Sequence, residues 1–253
     1  MPITTQELLQ QLNDVLKPWE VSDYCPNGLQ VEGSPNISRL ITGVTASQAL
    51  IDAAVEQQAD AILVHHGYFW KGESAAITGM KKRRIQTLLE HGINLIAYHL
   101  PIDVHPTLGN NAQLGRLLAL PNPQPLSSVK PLGIVFQSHL TEPVSQAELG
   151  DRIGQVLGRD PLAEGDPGKP IQRVAWCTGG GQSFIEQAVE AGMDAFISGE
   201  VSEQTIHVAR EMDIHFFAAG HHATERYGVK AVGEWLSQNL GLDVNFVDID
   251  NPA

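Results

Sequence analysis

Apolar and polar positions along the chain follow two periods. Leu8, Leu9, Leu12, Val15 and Leu16 recur at helical spacing and predict an amphipathic helix near the N-terminus. Apolar runs at "RLITGV" (39–44) and "DAILVHH" (60–66) read as buried strands, and "SQALIDAAVEQQ" (47–58) between them reads as a helix. Strand, helix and strand in that order form a βαβ unit, which requires parallel pairing. The order continues through a helix at "RIQTLLEHG" (84–92) into "INLIAYHLPIDVH" (93–105), a strand opening into a loop that carries histidine and aspartate.

The plan then repeats. "RLITGVTASQALIDAAVEQQADAILVHH" (39–66) lies without gaps over "RVAWCTGGGQSFIEQAVEAGMDAFISGE" (173–200), matching at Arg, Gln, Ile, an Ala-Val-Glu triplet and an Asp-Ala pair. Such agreement predicts a duplicated unit. Later, "DIHFFAAGHHATE" (213–225) again runs a strand into histidines. The breaker-rich stretches "LPNPQPLSSVKPLG" (120–133) and "GRDPLAEGDPGKP" (158–170) bracket a short strand-turn-helix insert. The expected organisation is a first α/β lobe over 1–125, a central insert over 126–169 that decorates one edge, and a second lobe over 170–253, with both lobes contributing to one site.

Composition narrows the function. A formal charge of −13 sets up a field that repels polyanions, so single-stranded nucleic acid is a partner only if it threads a local site. Cys25 and Cys177 stand alone, outside any CxxC pattern, so neither a disulfide framework nor a thiolate metal site is expected. The N-terminus has no basic segment ahead of an apolar core, and no apolar run approaches the roughly 18 residues of a membrane span, so a cytoplasmic protein is expected.

The histidines are unevenly placed. His65, His66, His99, His105, His221 and His222 fall just after three predicted strands, where open α/β sheets bind ligands. Asp103 and Glu225 share those loops. Imidazoles with carboxylates and no thiolates suit Zn, Fe, Mn or Ni better than Ca. Adjacent residues on a strand point to opposite faces, so His65 and His66 suit two neighbouring cations better than one. His221 and Glu225, four apart at the start of a predicted helix, share a face. The expected assignment places His65 and Asp103 on one cation and His66 and His221 on the other, with Glu225 bridging. His99 is a further ligand or an acid/base group. His91, His139, His207 and His215 read as structural, and His105 fits either role.

Three further features each carry two readings. The basic run "GMKKRR" (79–84) is a phosphate clamp or a solvated first helical turn. Tyr68, Phe69 and Trp70 stack on a base or pack an interface. "CTGGGQSF" (177–184) cradles a phosphate or serves tight backbone packing.

Six segments together, "SDYCPNGLQVEG" (22–33), "GVTAS" (43–47), "VHHGYFWKG" (64–72), "HLPIDVHPTLGNNAQL" (99–114), "SGEVSEQTIH" (199–207) and "AAGHHATER" (218–226), resemble the Nif-three-like family of GTP cyclohydrolase I type 2 homologues over essentially the whole chain. The resemblance implies a layered α/β sandwich of paired lobes and two divalent cations held at His65, His66, Asp103, His221 and Glu225. It also implies a toroidal homohexamer with its metal sites facing an internal cavity. Two cations suit hydrolysis of a nucleotide-like small molecule; the alternative is a non-catalytic metal-binding scaffold that docks partner proteins.

Overall fold

The computed structural model describes residues 2–253 and is of mixed α/β class. Its backbone packs as two units: one runs to Ile102 and includes Gly228–Asp250, and the other comprises Asp103–Tyr227 with Asn251–Ala253. The breaker-rich stretch 120–133 lies inside the second unit and separates nothing. Two of the three divisions instead fall inside helices, Leu100–Val104 and His221–Leu240, and the third follows Asp250.

In the first unit, a five-stranded sheet runs in the order Asp243–Phe246, Arg39–Thr45, Ala61–His66, Asn94–Ala97, Gly28–Val31. Its first three pairings are parallel and the last is antiparallel. Ile41, Ile62, Val64 and Leu95 are continuous apolar positions because helices cover the sheet, and Leu50, Ile51 and Leu88 supply the packing from those helices. The N-terminal helix Thr5–Leu16 buries Leu8, Leu12 and Leu16 and starts at a capping box between Thr4 and Glu7.

The second unit carries a six-stranded sheet in the order Gln124–Pro125, Phe136–Val144, Ile171–Cys177, Ala195–Ser198, His215–Ala218, Leu162–Glu164. The three central strands are parallel and the flanking ones antiparallel. The insert is therefore part of this sheet: its strand Phe136–Val144 pairs directly with Ile171–Cys177, and its helix Gln146–Leu157 buries Leu149, Ile153 and Leu157 in the core around Trp176 and Phe217.

The repeat seen in the sequence recurs in hydrogen bonding. Asp60 Oδ2 accepts the backbone N–H groups of Ser38 and Arg39, and Asp194 Oδ2 accepts those of Gln172 and Arg173. The gapless alignment places these residues opposite one another. Each aspartate fixes where one parallel strand begins beside the next, and so fixes where both strands end.

One local expectation changes. The stretch after Asn94–Ala97 is a short helix, Leu100–Val104, where an open loop was expected. Asp23 Oδ2 accepts the Leu100 N–H, and Pro101 lacks a donor that a first helical turn would leave unused. Asp103 thus sits on a helical turn. Among the described residues no helix is long and apolar enough to cross a membrane.

The paired aspartates generate a stability prediction. Asp60→Ala and Asp194→Ala should each cost about 1–2 kcal/mol in urea denaturation, because each strips an acceptor from two backbone donors. Arg173→Ala should cost about 0.5 kcal/mol or less, since its ion pair with Asp194 is half exposed. Burial pushes the Asp194 carboxyl up, but the Arg173 guanidinium and the two backbone donors outweigh it and hold the pKa below its ordinary value. Its contribution is therefore present at neutral pH and lost as pH falls through that lowered value. Pronounced stabilisation on acidification, abolished by Asp194→Ala, would contradict this.

Candidate metal centre

In the first unit, the strand Ala61–His66 delivers His65 and His66 at its carboxyl end, and His99 follows the neighbouring strand Asn94–Ala97. The ring centroids lie 4.5 Å apart for His65 and His66, 5.0 Å for His65 and His99, and 5.7 Å for His66 and His99. One nitrogen from each ring lies within 4.8 Å of the others. Alternation along the strand predicts His65 and His66 on opposite faces, yet their rings lie close together.

Each imidazole is held at Nδ1. For His65 the partner is the Tyr98 carbonyl at 3.3 Å, for His66 the Thr45 hydroxyl at 3.1 Å, and for His99 the Asp23 carboxylate at 2.8 Å. A carbonyl or carboxylate at Nδ1 requires the proton there and leaves Nε2 as the electron-pair donor. Asp23 is itself fixed: its oxygens also accept from the Tyr24 and Leu100 N–H groups and from Asn27 Nδ2. Burial favours its neutral form, but His99, Asn27 and Leu100 override this and lower its pKa. In the absence of a cation, burial and then the Asp23 charge push the Cys25 thiol up to about 12.

The second unit gathers Asp103, His221 and Glu225. Asp103 and Glu225 are 4 % and 3 % exposed, with a carboxylate oxygen of one within 4.8 Å of an oxygen of the other. Asp103 Oδ1 accepts from Asn110 Nδ2 at 2.8 Å and from the Thr178 hydroxyl at 3.4 Å. At the start of the helix His221–Leu240, His221 Nε2 lies 3.0 Å from Glu225 Oε2 one turn on, and its Nδ1 lies 2.7 Å from Glu200 Oε1. Burial favours neutral His221, but Glu225 and Glu200 outweigh it and raise its pKa to about 9. A cation taking Nε2 would displace that proton. Burial and the charges of Asp103 and Glu225 drive the Cys177 thiol well above its ordinary range.

The glycine loop resolves toward packing. Gly179 has φ +63°, and a Cβ there would overlap Glu225 Oε1 and stand 3.1 Å from His221 Nε2. A Cβ on Gly181 would overlap Cys177 Sγ. The first glycine keeps space open beside the acid and the imidazole. His105 caps its own turn, Nδ1 accepting from the Thr107 and Leu108 N–H groups. His215 bonds the Lys169 carbonyl, and burial lowers its pKa. The basic run is partly structural: Lys81 pairs with Glu73 at 3.2 Å and donates to the Ser74 carbonyl.

The donor set of imidazole nitrogens and carboxylate oxygens fits a borderline divalent cation. Sequence reading missed Asp23, Glu200, Asn110 and Thr178, which orient the candidate ligands. Asp23 and Glu200 stand in the quoted segments 22–33 and 199–207, but their partners are 76 and 21 residues away, a separation that no local spacing reveals.

Comparison with known proteins agrees with this architecture. Residues 3–252 match the family Duf34/NIF3 (NGG1p interacting factor 3). A GTP cyclohydrolase 1 type 2 homolog from Vibrio cholerae serotype O1 is 58% identical over 244 residues, covering 96% of each chain. The solved structure of protein ybgI superposes with a TM-score of 0.94 at 56% identity, covering 99% of this chain and 100% of that one. The crystal structure of TTHA1606 from Thermus thermophilus gives a TM-score of 0.90 at 32% identity, covering 99% and 100%. With the family match spanning nearly its whole length and the relatives covering it end to end, the chain belongs to the DUF34/NIF3 family.

Proposed function

We propose that the protein is a dinuclear, divalent-metal-dependent hydrolase of a nucleotide-like substrate. In this reading His65 and Asp103 would hold one cation and His66 and His221 the other, with Glu225 available to both. The observation that carries it is the shared arrangement of the histidines: every proposed imidazole ligand is anchored through Nδ1 by a carbonyl, hydroxyl or carboxylate. Anchoring of this kind orients metal-binding histidines and raises their basicity. The covalent chain supports joining the two sets, since His99 and Asp103 are four residues apart on either side of the division at Ile102.

Bound cations would supply Lewis acidity and an acidified water. The chain's own residues supply the rest. His99 keeps its Nδ1 proton on ionised Asp23 and presents Nε2 to accept or return a proton, as general acid/base work requires. The relatives' description as GTP cyclohydrolase 1 type 2 homologs supports a nucleotide as the substrate class. Cyclohydrolase chemistry on a purine would attack C8 and release formate.

Three outcomes are expected. Protein reconstituted with zinc, iron, manganese or nickel and screened against GTP, other nucleotides and phosphoesters should show metal-dependent turnover. Formate from GTP would identify ring opening and phosphate a phosphoesterase, whereas no turnover with any metal would favour the scaffold. Glu225→Gln should keep its fold by circular dichroism, bind fewer than two cations by elemental analysis and lose turnover about a hundredfold or more; two retained cations would contradict the bridge. His99→Ala should lower turnover by about 10²–10⁴ with both cations in place. Loss of a cation in His99→Ala would make His99 a ligand instead.

A further inference from the structure

Beyond the histidines, the first unit builds an aromatic corner from two separate loops. Trp70 stands with its ring centroid 4.9 Å from that of His99 at an interplanar angle of 83°, and 6.0 Å from that of His66. Tyr24, 56 % exposed, lies 5.6 Å from His99. The two loops are joined, because the Lys71 N–H donates to the Tyr24 carbonyl at 2.6 Å.

Polar staples hold the Trp70 loop in place. The indole Nε1 donates to the Gly67 carbonyl, and the Trp70 N–H donates to Glu73 Oε2. Glu73 is in turn fixed by Lys81, whose ammonium also sits 4.8 Å from the centroid of the Phe69 ring. Phe69 adopts φ +65°, a left-handed backbone that a bulky side chain avoids. The turn that delivers Trp70 thus departs from relaxed geometry, and such departures concentrate where a ligand must be met. Gly67 completes the placement: a Cβ there would overlap Gln30 Oε1, the atom that accepts the Tyr68 N–H.

Trp70 keeps part of its ring accessible, and that ring is set against the His99 and His66 imidazoles and not within the apolar core of the unit. A planar face beside a metal-binding histidine cluster is what a flat heteroaromatic ring stacks on. We infer that Trp70 and Tyr24 form a stacking clamp for the planar base of the substrate, holding that ring beside His99. The inference rests on the proposed hydrolase reading and assigns the residues that hold the base of its nucleotide-like substrate.

The test uses the full-length, metal-reconstituted protein, with guanosine 5′-monophosphate and its base-less counterpart ribose 5-phosphate as probes in calorimetric titrations. The wild type should bind the nucleotide about tenfold or more tightly than the sugar phosphate. Trp70→Ala and Tyr24→Ala should each weaken nucleotide binding about tenfold and leave sugar phosphate binding unchanged. Trp70→Phe, which keeps a flat ring and tolerates failure of the alanine variant to fold, should retain most of the affinity. Equal affinity for the two probes, unchanged nucleotide affinity in both alanine variants, or parallel loss for both probes would overturn the clamp. Metal content, measured on the same samples, separates the two claims: a wild type without cations sinks the hydrolase reading, whereas a metal-loaded wild type indifferent to the base sinks the clamp alone.

Discussion

Two carboxylates, Asp103 and Glu225, are buried within 4.8 Å of each other. Were both ionised, like charges at that separation, with little water around them, would repel strongly, and taking each ion out of water is itself costly. Asn110, Thr178 and His221 offset part of that cost through hydrogen bonds and charge. A doubly charged cation between the acids would offset far more. Much of the surrounding structure makes sense as the means of keeping this pair together: Gly179 is the residue that leaves room, and Thr178 beside it donates to Asp103.

Each sheet delivers residues of its own unit. Parallel strands carry their carboxyl ends to one edge, and the Asp60 and Asp194 brackets set the register of each parallel pair from the opposite end. His65 and His66 close one such strand. His221 and Glu225 open the helix that follows another, so a single helical turn sets their spacing. Around the histidines lies a layer of partners at Nδ1, and this layer turns a set of coordinating residue types into a set of aimed nitrogens.

Much of this was legible in the sequence because it is periodic or local. The βαβ order, the N-terminal amphipathic helix and the duplication are patterns in neighbouring residues, and the histidine pairs fall where apolar runs stop. The orienting layer was not legible. Asp23 and Glu200 act across the fold on His99 and His221, and no local spacing pairs them with those histidines. The position of the division was also hidden. Proline-rich stretches suggest linkers, yet the stretch over 120–133 is packed within one unit through Leu120, Leu126 and Val129, all buried. The two glycine-loop readings could be separated only in three dimensions, where an added Cβ meets Glu225.

The central claim is that imidazoles and carboxylates from distant segments enclose a pair of cations with no sulfur involved. X-ray absorption spectroscopy at the metal edge of the reconstituted protein tests it most directly. The account predicts nitrogen and oxygen scatterers only, with a second metal at about 3.5–4 Å. A spectrum with sulfur in the coordination shell, or with a solitary metal at full loading, would contradict it.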